Sequence, residues 1–323
     1  MGIKTRIGNS LSEAKFLLQK GDLVAIPTET VYGLAANGLN PTACTSIFEV
    51  KNRPFFDPLI LHIGSINQLN PLVRKIPEEY KILMEKFWPG PITFIFDKSD
   101  IIPDVVCSGG SSVAIRMPSH PLTNQLLTEL EFPLAAPSAN PFKYVSPTTP
   151  FHVLDQLGGK IPYILDGGDS VVGLESTIVK LENGILKVLR VGGITTEALN
   201  EVTENIKLSI EPQDNPIAPG QLEHHYSPNC TLQVIEDLNQ INNSFDALLR
   251  VIPTQLFIPE DLDIQIITLS NEGDIKLAAQ NLFKELRNLD NRGFKKVALM
   301  LGPEEGLGRA INDRLIRAAN KSY

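Results

Sequence analysis

Along residues 9–200 the hydrophobic positions alternate between helical spacing and short continuous runs, the arrangement of an α/β protein. Asn9 to Gln19 carries Leu11, Ala14, Phe16, Leu17 and Leu18, with Ser10 and Glu13 in capping-box positions and Gly21 where a glycine stop belongs. A helix is predicted there. Leu23-Val24-Ala25-Ile26 reads as a strand that runs into the polar loop Pro27-Thr28-Glu29-Thr30-Val31-Tyr32-Gly33. Asn40-Pro41 places a capping residue before a proline at the first helical position, so a second helix runs from there to about Lys51. Leu59 to Ile63, Ile92 to Phe96 and Ser112 to Arg116 read as strands, and Ser119-His120-Pro121 opens a helix through Leu130. Phe132 to Ala136 predicts a short strand entering Pro137-Ser138-Ala139-Asn140, followed by a hydroxyl-rich loop at residues 145–149. Tyr163 to Asp166, Ser176 to Val179 and Ile185 to Arg190 complete the strands of this part.

Near residue 207 the pattern changes. Glu211 to Gly220 has the proline and polar content of a linker, and no apolar period returns before Pro228. The expected organisation is a catalytic domain at 1–206, a linker or lid at 207–230 and a small α/β domain at 231–323. That last part offers strands at Thr231 to Ile235, Ala247 to Ile252, Ile264 to Leu269 and Val297 to Leu301, with helices at Asp274 to Asn288 and Leu307 to Ala319. No internal repeat is visible.

Composition narrows the class. The chain of 323 residues is 42% hydrophobic and 20% charged, ordinary for globular proteins. Its N-terminus lacks the apolar stretch of a secretory leader, and no run is long enough to span a bilayer, so a cytosolic protein without membrane contact is expected. Cys44, Cys107 and Cys230 have neither metal-ligand nor CxxC spacing and read as reduced, packed thiols. A net charge of −8 opposes tight nonspecific nucleic-acid binding, which needs a basic face.

The polar loop after the first strand and the pair of cations in Lys51-Asn52-Arg53-Pro54 together suggest an anionic ligand. Taken by composition alone, Lys51 and Arg53 read as solvated cations at a helix C-terminus. Arg116 ends an apolar strand, so it meets either a structural carboxylate or a ligand anion. His62, among apolar residues, reads as a core histidine, and Ser138, Ser146 and Ser176 as turn serines. No P-loop, Rossmann fingerprint, HExxH or Gly-x-Ser-x-Gly elbow occurs.

Taken in order, Pro27 to Gly33, Lys51 to Pro54, Pro58-Leu59-Ile60-Leu61-His62, Trp88-Pro89-Gly90-Pro91-Ile92-Thr93, Val113 to Pro118, Ala136 to Asn140 and Glu175-Ser176-Thr177-Ile178 resemble the YrdC-like threonylcarbamoyl-AMP synthases. Ala218-Pro219-Gly220, His225-Tyr226-Ser227-Pro228 and the small domain after them resemble the longer, two-domain type. The resemblance implies a YrdC-like twisted open mixed sheet with flanking helices, followed by a Rossmann-like α/β domain. It also implies a nucleotidyltransferase that condenses L-threonine, bicarbonate or carbon dioxide, and ATP into threonylcarbamoyl-AMP and pyrophosphate. A partner transferase would then modify a tRNA adenosine.

Carried over motif by motif, Lys51, Arg53, Asp57, Ser112, Ser138, Ser146 and Arg190 would line the ATP site, with Tyr226 reaching in from the linker. Thr30, His62, Arg116, Ala136 and Ser176 would hold threonine. The family often has asparagine at the position of Asp57 and a basic residue at that of Glu223. Lys51, Arg53 and Arg116 would carry catalysis by positioning and charge, with Mg²⁺ on the phosphates and no metal held by the protein itself. The alternatives are carbamoyl-adenylate chemistry on another acceptor and an RNA-binding module, and a weak tRNA contact is compatible with the enzyme.

Overall fold

A computed structural model describes residues 3–203, 206–210, 226–254 and 264–319. The linker segment 211–225, with Glu223, His224 and His225, lies outside the described residues. The described chain forms two compact units, one built from residues 3–142, 146–171 and 175–210 and the other from 143–145, 172–174 and 226–319.

In the first unit the elements are, in chain order, β1 (Arg6–Gly8), α1 (Leu11–Gln19), β2 (Val24–Ile26), β3 (Gly33–Asn37), α2 (Pro41–Lys51), β4 (Ile60–His62), α3 (Ile66–Leu69), α4 (Glu78–Phe87) and β5 (Ile92–Asp97). They continue with β6 (Ser112–Arg116), α5 (Pro121–Glu129), β7 (Leu134–Ala135), α6 (Pro150–Leu157), β8 (Tyr163–Leu165), β9 (Thr177–Glu182), β10 (Ile185–Arg190), α7 (Thr196–Val202) and β11 (Lys207–Ile210). Among the described residues these strands form one mixed sheet in the order β1-β8-β2-β3-β7-β4-β6-β5-β9-β10-β11.

Capping fixes the helices that carry the site. Ser10 accepts the Glu13 amide at the start of α1, as its sequence implies. Asn40 accepts the amides of Thr42 and Ala43 ahead of Pro41, and α2 stops at Asn52, which adopts the left-handed conformation at φ 53°. That stop turns the chain sharply between Lys51 and Arg53.

One sheet face packs the main core, including Leu61, Ile63, Phe94, Phe96, Val113, Ile115 and Val179, together with Phe48 of α2 and Leu83 of α4. Helices α1 and α5 bury Ala14, Leu18, Leu126 and Leu127 with Val24, Ile26, Ala35 and Leu134. A small separate cluster, Ile60, Ile95, Ala114, Ile178 and Leu189, comes from alternate residues of the central strands, which period-two geometry places on the opposite face.

The fold class matches the expectation from sequence, while several elements go beyond it. β3 was not anticipated from the sequence, because Gly33-Leu34-Ala35-Ala36-Asn37 is poor in β-formers. Pairing with β2 on one side and β7 on the other makes it a strand. The hydroxyl-rich loop at 145–149 ends in a helix cap, since Thr149 accepts the His152 amide and starts α6. β1, α4 and α7 were likewise not anticipated. Residues 207–210, assigned to the linker by composition, pair in parallel with β10 as β11.

The second unit contains β12 (Thr231–Val234), β13 (Ala247–Arg250), β14 (Gln265–Thr268), α8 (Ile275–Asn291), β15 (Lys296–Met300) and α9 (Gly306–Ala319). Its sheet is wholly parallel, in the order β12-β15-β13-β14, as a Rossmann-like layer requires.

Gly192 ties β10's exit to the site-bearing segment before β9. A Cβ there would strike the Glu175 carbonyl oxygen and lie 2.7 Å from the Ser176 carbonyl carbon. Gly192→Ala should therefore destabilise the protein by about 1–3 kcal/mol through forced backbone displacement, read as a lower urea midpoint at unchanged m-value.

Candidate active site

Strand register gathers the candidate residues. His62 of β4 is opposite Arg116 of β6, Arg116 is opposite Thr93 of β5, Thr93 is opposite Ile178 of β9, and Ile178 is opposite Arg190 of β10. Residues opposite one another share a sheet face, so one row across five strands carries His62, Arg116, Thr93 and Arg190. A register shift between Val188 and Arg190 lets the last of these join the row. Bulges of this kind re-aim side chains beside active sites.

Arg116 is buried and committed on three sides. Its Nη1 donates to Thr30 Oγ1 at 2.8 Å, its Nε reaches the Gly90 carbonyl at 3.4 Å, and its Nη2 lies 2.7 Å from Glu29 Oε1. Arg190 donates through Nε and Nη2 to the Ser176 carbonyl at 3.1 and 2.9 Å, and through Nη2 to Ser176 Oγ at 3.1 Å. Ser176 Oγ also hydrogen-bonds Thr93 Oγ1 at 2.7 Å. Nearby in sequence, Ser146 Oγ donates to Glu175 Oε1 at 2.7 Å.

The second group surrounds the end of α2. Lys51 Nζ donates to the carbonyls of Ser138, at 2.5 Å, and Asn140, which ties the helix end to the loop after β7. Arg53 donates to the carbonyls of Asp57 and Pro58 at 3.0 and 2.8 Å and pairs with the Asp57 carboxylate at 2.9 Å. Lys51 and Arg53 are 1% and 6% exposed. Their reading as solvated cations is therefore corrected: tertiary packing covers both.

Burial sets the electrostatics. It pushes Lys51 well below the usual lysine range, the Arg53 charge adds to this, and Asp57 opposes it. Burial raises the Asp57 carboxyl, against the pull of Arg53, Lys51 and Arg190. His62 falls to about 3, first through burial and then through the Arg116 charge. These costs are carried by hydrogen bonds and opposite charges, the only form in which buried ions persist.

The Sua5/YciO/YrdC family model, described as telomere recombination, matches residues 16–192, and the model described as threonylcarbamoyl-AMP synthase, C-terminal domain, matches residues 194–320. The chain belongs to the threonylcarbamoyl-AMP synthase family. The threonylcarbamoyl-AMP synthase of Pyrococcus abyssi is 37% identical over 316 residues, covering 94% of this chain and 92% of its own. That of Bacillus subtilis is 37% identical over 320 residues, covering 96% and 92%. The crystal structure of P. abyssi Sua5 complexed with L-threonine matches with a TM-score of 0.87 at 34% identity, over 99% of this chain and 98% of that one.

Within this threonylcarbamoyl-AMP synthase fold, Thr30, His62, Arg116 and Ser176 lie on or beside the cross-strand row, and Ala136 follows β7. Lys51, Arg53, Asp57 and Ser138 form the α2 group. Ser112 begins β6 and lines a cleft of about 210 Å³ with Phe56, Leu59, Val106 and Ser108. Tyr226 belongs to the second unit, where it is buried, stacks on Phe283 at 5.4 Å and lies under Arg314 at 5.3 Å. Glu29, Thr93 and Glu175 were not singled out from sequence, although all three stand inside quoted motifs. A carboxylate beside hydroxyls in a strand-end loop was the available signal.

The His62 shift has a pH consequence. A base with its folded pKa below its unfolded value costs stability as pH falls below the unfolded value of 6.5, because the unfolded chain binds the proton first. Between pH 6.5 and pH 5 this should remove about 2 kcal/mol. Chemical denaturation across that range should show the slope, and His62→Gln should flatten it.

Proposed function

We propose that the chain condenses L-threonine, bicarbonate or carbon dioxide, and ATP into threonylcarbamoyl-AMP, with release of pyrophosphate. A separate transferase would pass the threonylcarbamoyl group to a tRNA adenosine. The observation that carries this reading is the cross-strand row with Arg116 and Arg190 buried on one face, near-full-length likeness to named threonylcarbamoyl-AMP synthases standing behind it.

The reaction makes demands that these residues meet. The threonine amine and bicarbonate give a carbamate and water. A carbamate oxygen attacks the α-phosphorus of ATP, and the bond from that phosphorus to the pyrophosphate oxygen breaks. Negative charge accumulates on the phosphates throughout. Lys51 and Arg53, already held by carbonyls, would meet that charge without reorganisation, joined by Arg190 and by the hydroxyls of Ser112, Ser138 and Ser146. Arg116 would hold the substrate carboxylate, with Thr30, His62, Ala136 and Ser176 around it. His62, held neutral by burial, adds no competing charge. Catalysis is then positioning and charge stabilisation without a covalent intermediate.

Mg²⁺ supplies charge neutralisation when it arrives with ATP. Phosphate oxygens and water would serve as its ligands, the usual coordination of this hard cation. No helix among the described residues is long and apolar enough to cross a membrane, and we place the activity in the cytosol, with at most a weak tRNA contact.

Pyrophosphate release from ATP and bicarbonate should depend on L-threonine. Arg53→Ala and Arg116→Ala should each lower kcat/KM by about 2–4 kcal/mol of transition-state stabilisation, by analogy with the loss of an oxyanion donor. Threonine-independent release, or salt-sensitive tRNA binding without release, would overturn the reading.

A further inference from the structure

Glu29 is a buried carboxylate to which no donor is directed. It is 4% exposed, and neither Oε1 nor Oε2 receives a hydrogen bond. Arg116 Nη2 approaches Oε1 to 2.7 Å, but the matching nitrogen and oxygen make an ion contact without an aligned N–H. Nearby hydroxyls are committed elsewhere. Thr28 Oγ1 donates its single proton to the Val31 carbonyl at 2.6 Å. It must therefore be the acceptor in its 2.8 Å bond with Thr30 Oγ1, which itself accepts from Arg116 Nη1. The chain runs one way, from Arg116 through Thr30 and Thr28 to Val31, and leaves neither threonine proton for Glu29.

A buried acceptor without a donor is an expensive arrangement. Here it stands against the arginine assigned to the substrate carboxylate. The free protein thus holds a cation and an anion side by side, and a free α-amino acid carries an anion and a cation on one carbon.

We propose that the two pairs exchange: the substrate carboxylate takes the Arg116 nitrogen that faces Glu29, and Glu29 takes the substrate's α-ammonium. This deepens the threonine reading and rests on it. Charge is conserved, since two ion pairs enter the site and two remain, so no unpaired ion is buried. The exchange also supplies selectivity. A carboxylic acid without an amine would pull Arg116 from Glu29 and strand the carboxylate, and polar sites left unpaired reject such ligands strongly.

Calorimetric titration with L-threonine and with (3R)-3-hydroxybutanoate, the same skeleton without the amine, tests the exchange. The unaltered protein should prefer L-threonine by about 100-fold or more. Glu29→Gln should weaken L-threonine by about 10–100-fold and leave the deaminated acid unchanged or tighter, so the preference collapses. Glu29→Asp, which keeps the charge, should retain part of it. Equal binding of the two ligands by the unaltered protein would overturn the exchange even if every variant failed to fold. Parallel weakening of both ligands in Glu29→Gln would also overturn it, because that is the behaviour of a structural counter-ion. Threonine-dependent pyrophosphate release with no preference between the ligands would sink the exchange alone, whereas absence of both threonine binding and release would sink the functional reading with it.

Discussion

Everything in the first unit turns on holding cations out of water. Four basic residues, Lys51, Arg53, Arg116 and Arg190, are each at most 8% exposed, and each is held by carbonyl oxygens. A charge in such a place is tolerated only while its partners stay fixed. The mixed sheet provides that rigidity, because the register that pairs His62 with Arg116 and Arg116 with Thr93 is the register that packs Leu61, Ile115 and Phe94 into the main core. A slip of one residue would exchange the faces of both sets.

The two cationic groups are built by different means. Arg116 and Arg190 stand on strands, where alternation and a bulge set direction. Lys51 and Arg53 stand on either side of a left-handed helix stop at Asn52 and are held by main-chain carbonyls. The first group inherits its precision from the sheet, the second from a helix end and two loops. Carboxylates accompany both, Glu29 with the strand group and Asp57 with the helix-end group. Each anion lowers the cost of keeping an arginine dry in the absence of ligand.

Much of this architecture was legible in the sequence, for identifiable reasons. Helices α1 and α2 carry strong local signals, Ser10 with Glu13 and Asn40 with Pro41, and both capping side chains accept the amides their spacing implies, although Glu13 pairs with Arg6 and the Ser10 amide donates to Tyr163, so the capping box is only half formed. β4, β5 and β6 are apolar runs with little helical alternative. β3 was hidden because small residues form a strand only when neighbours supply both ladders. The burial of Lys51 was hidden too: its partners are carbonyls of residues 138 and 140, and main-chain oxygens leave no trace in side-chain identity. The family's motifs named residues in the site, but the order in which the sheet aligns them belongs to register, which a linear chain does not display.

The irregularity in β10 illustrates how directly topology can encode chemistry. In an unbroken strand, Leu189 and Arg190 would point to opposite faces. The shift between Val188 and Arg190 lets Leu189 stay in the small apolar cluster while Arg190 takes the position opposite Ile178. The arginine's allegiance is thus a matter of parity. Were Leu189 itself paired with Ile178, the ladder would be unbroken and the guanidinium would turn to the face of Val179 and the main core, so the one extra residue is what lets a single strand keep both its leucine and its arginine on the site's side.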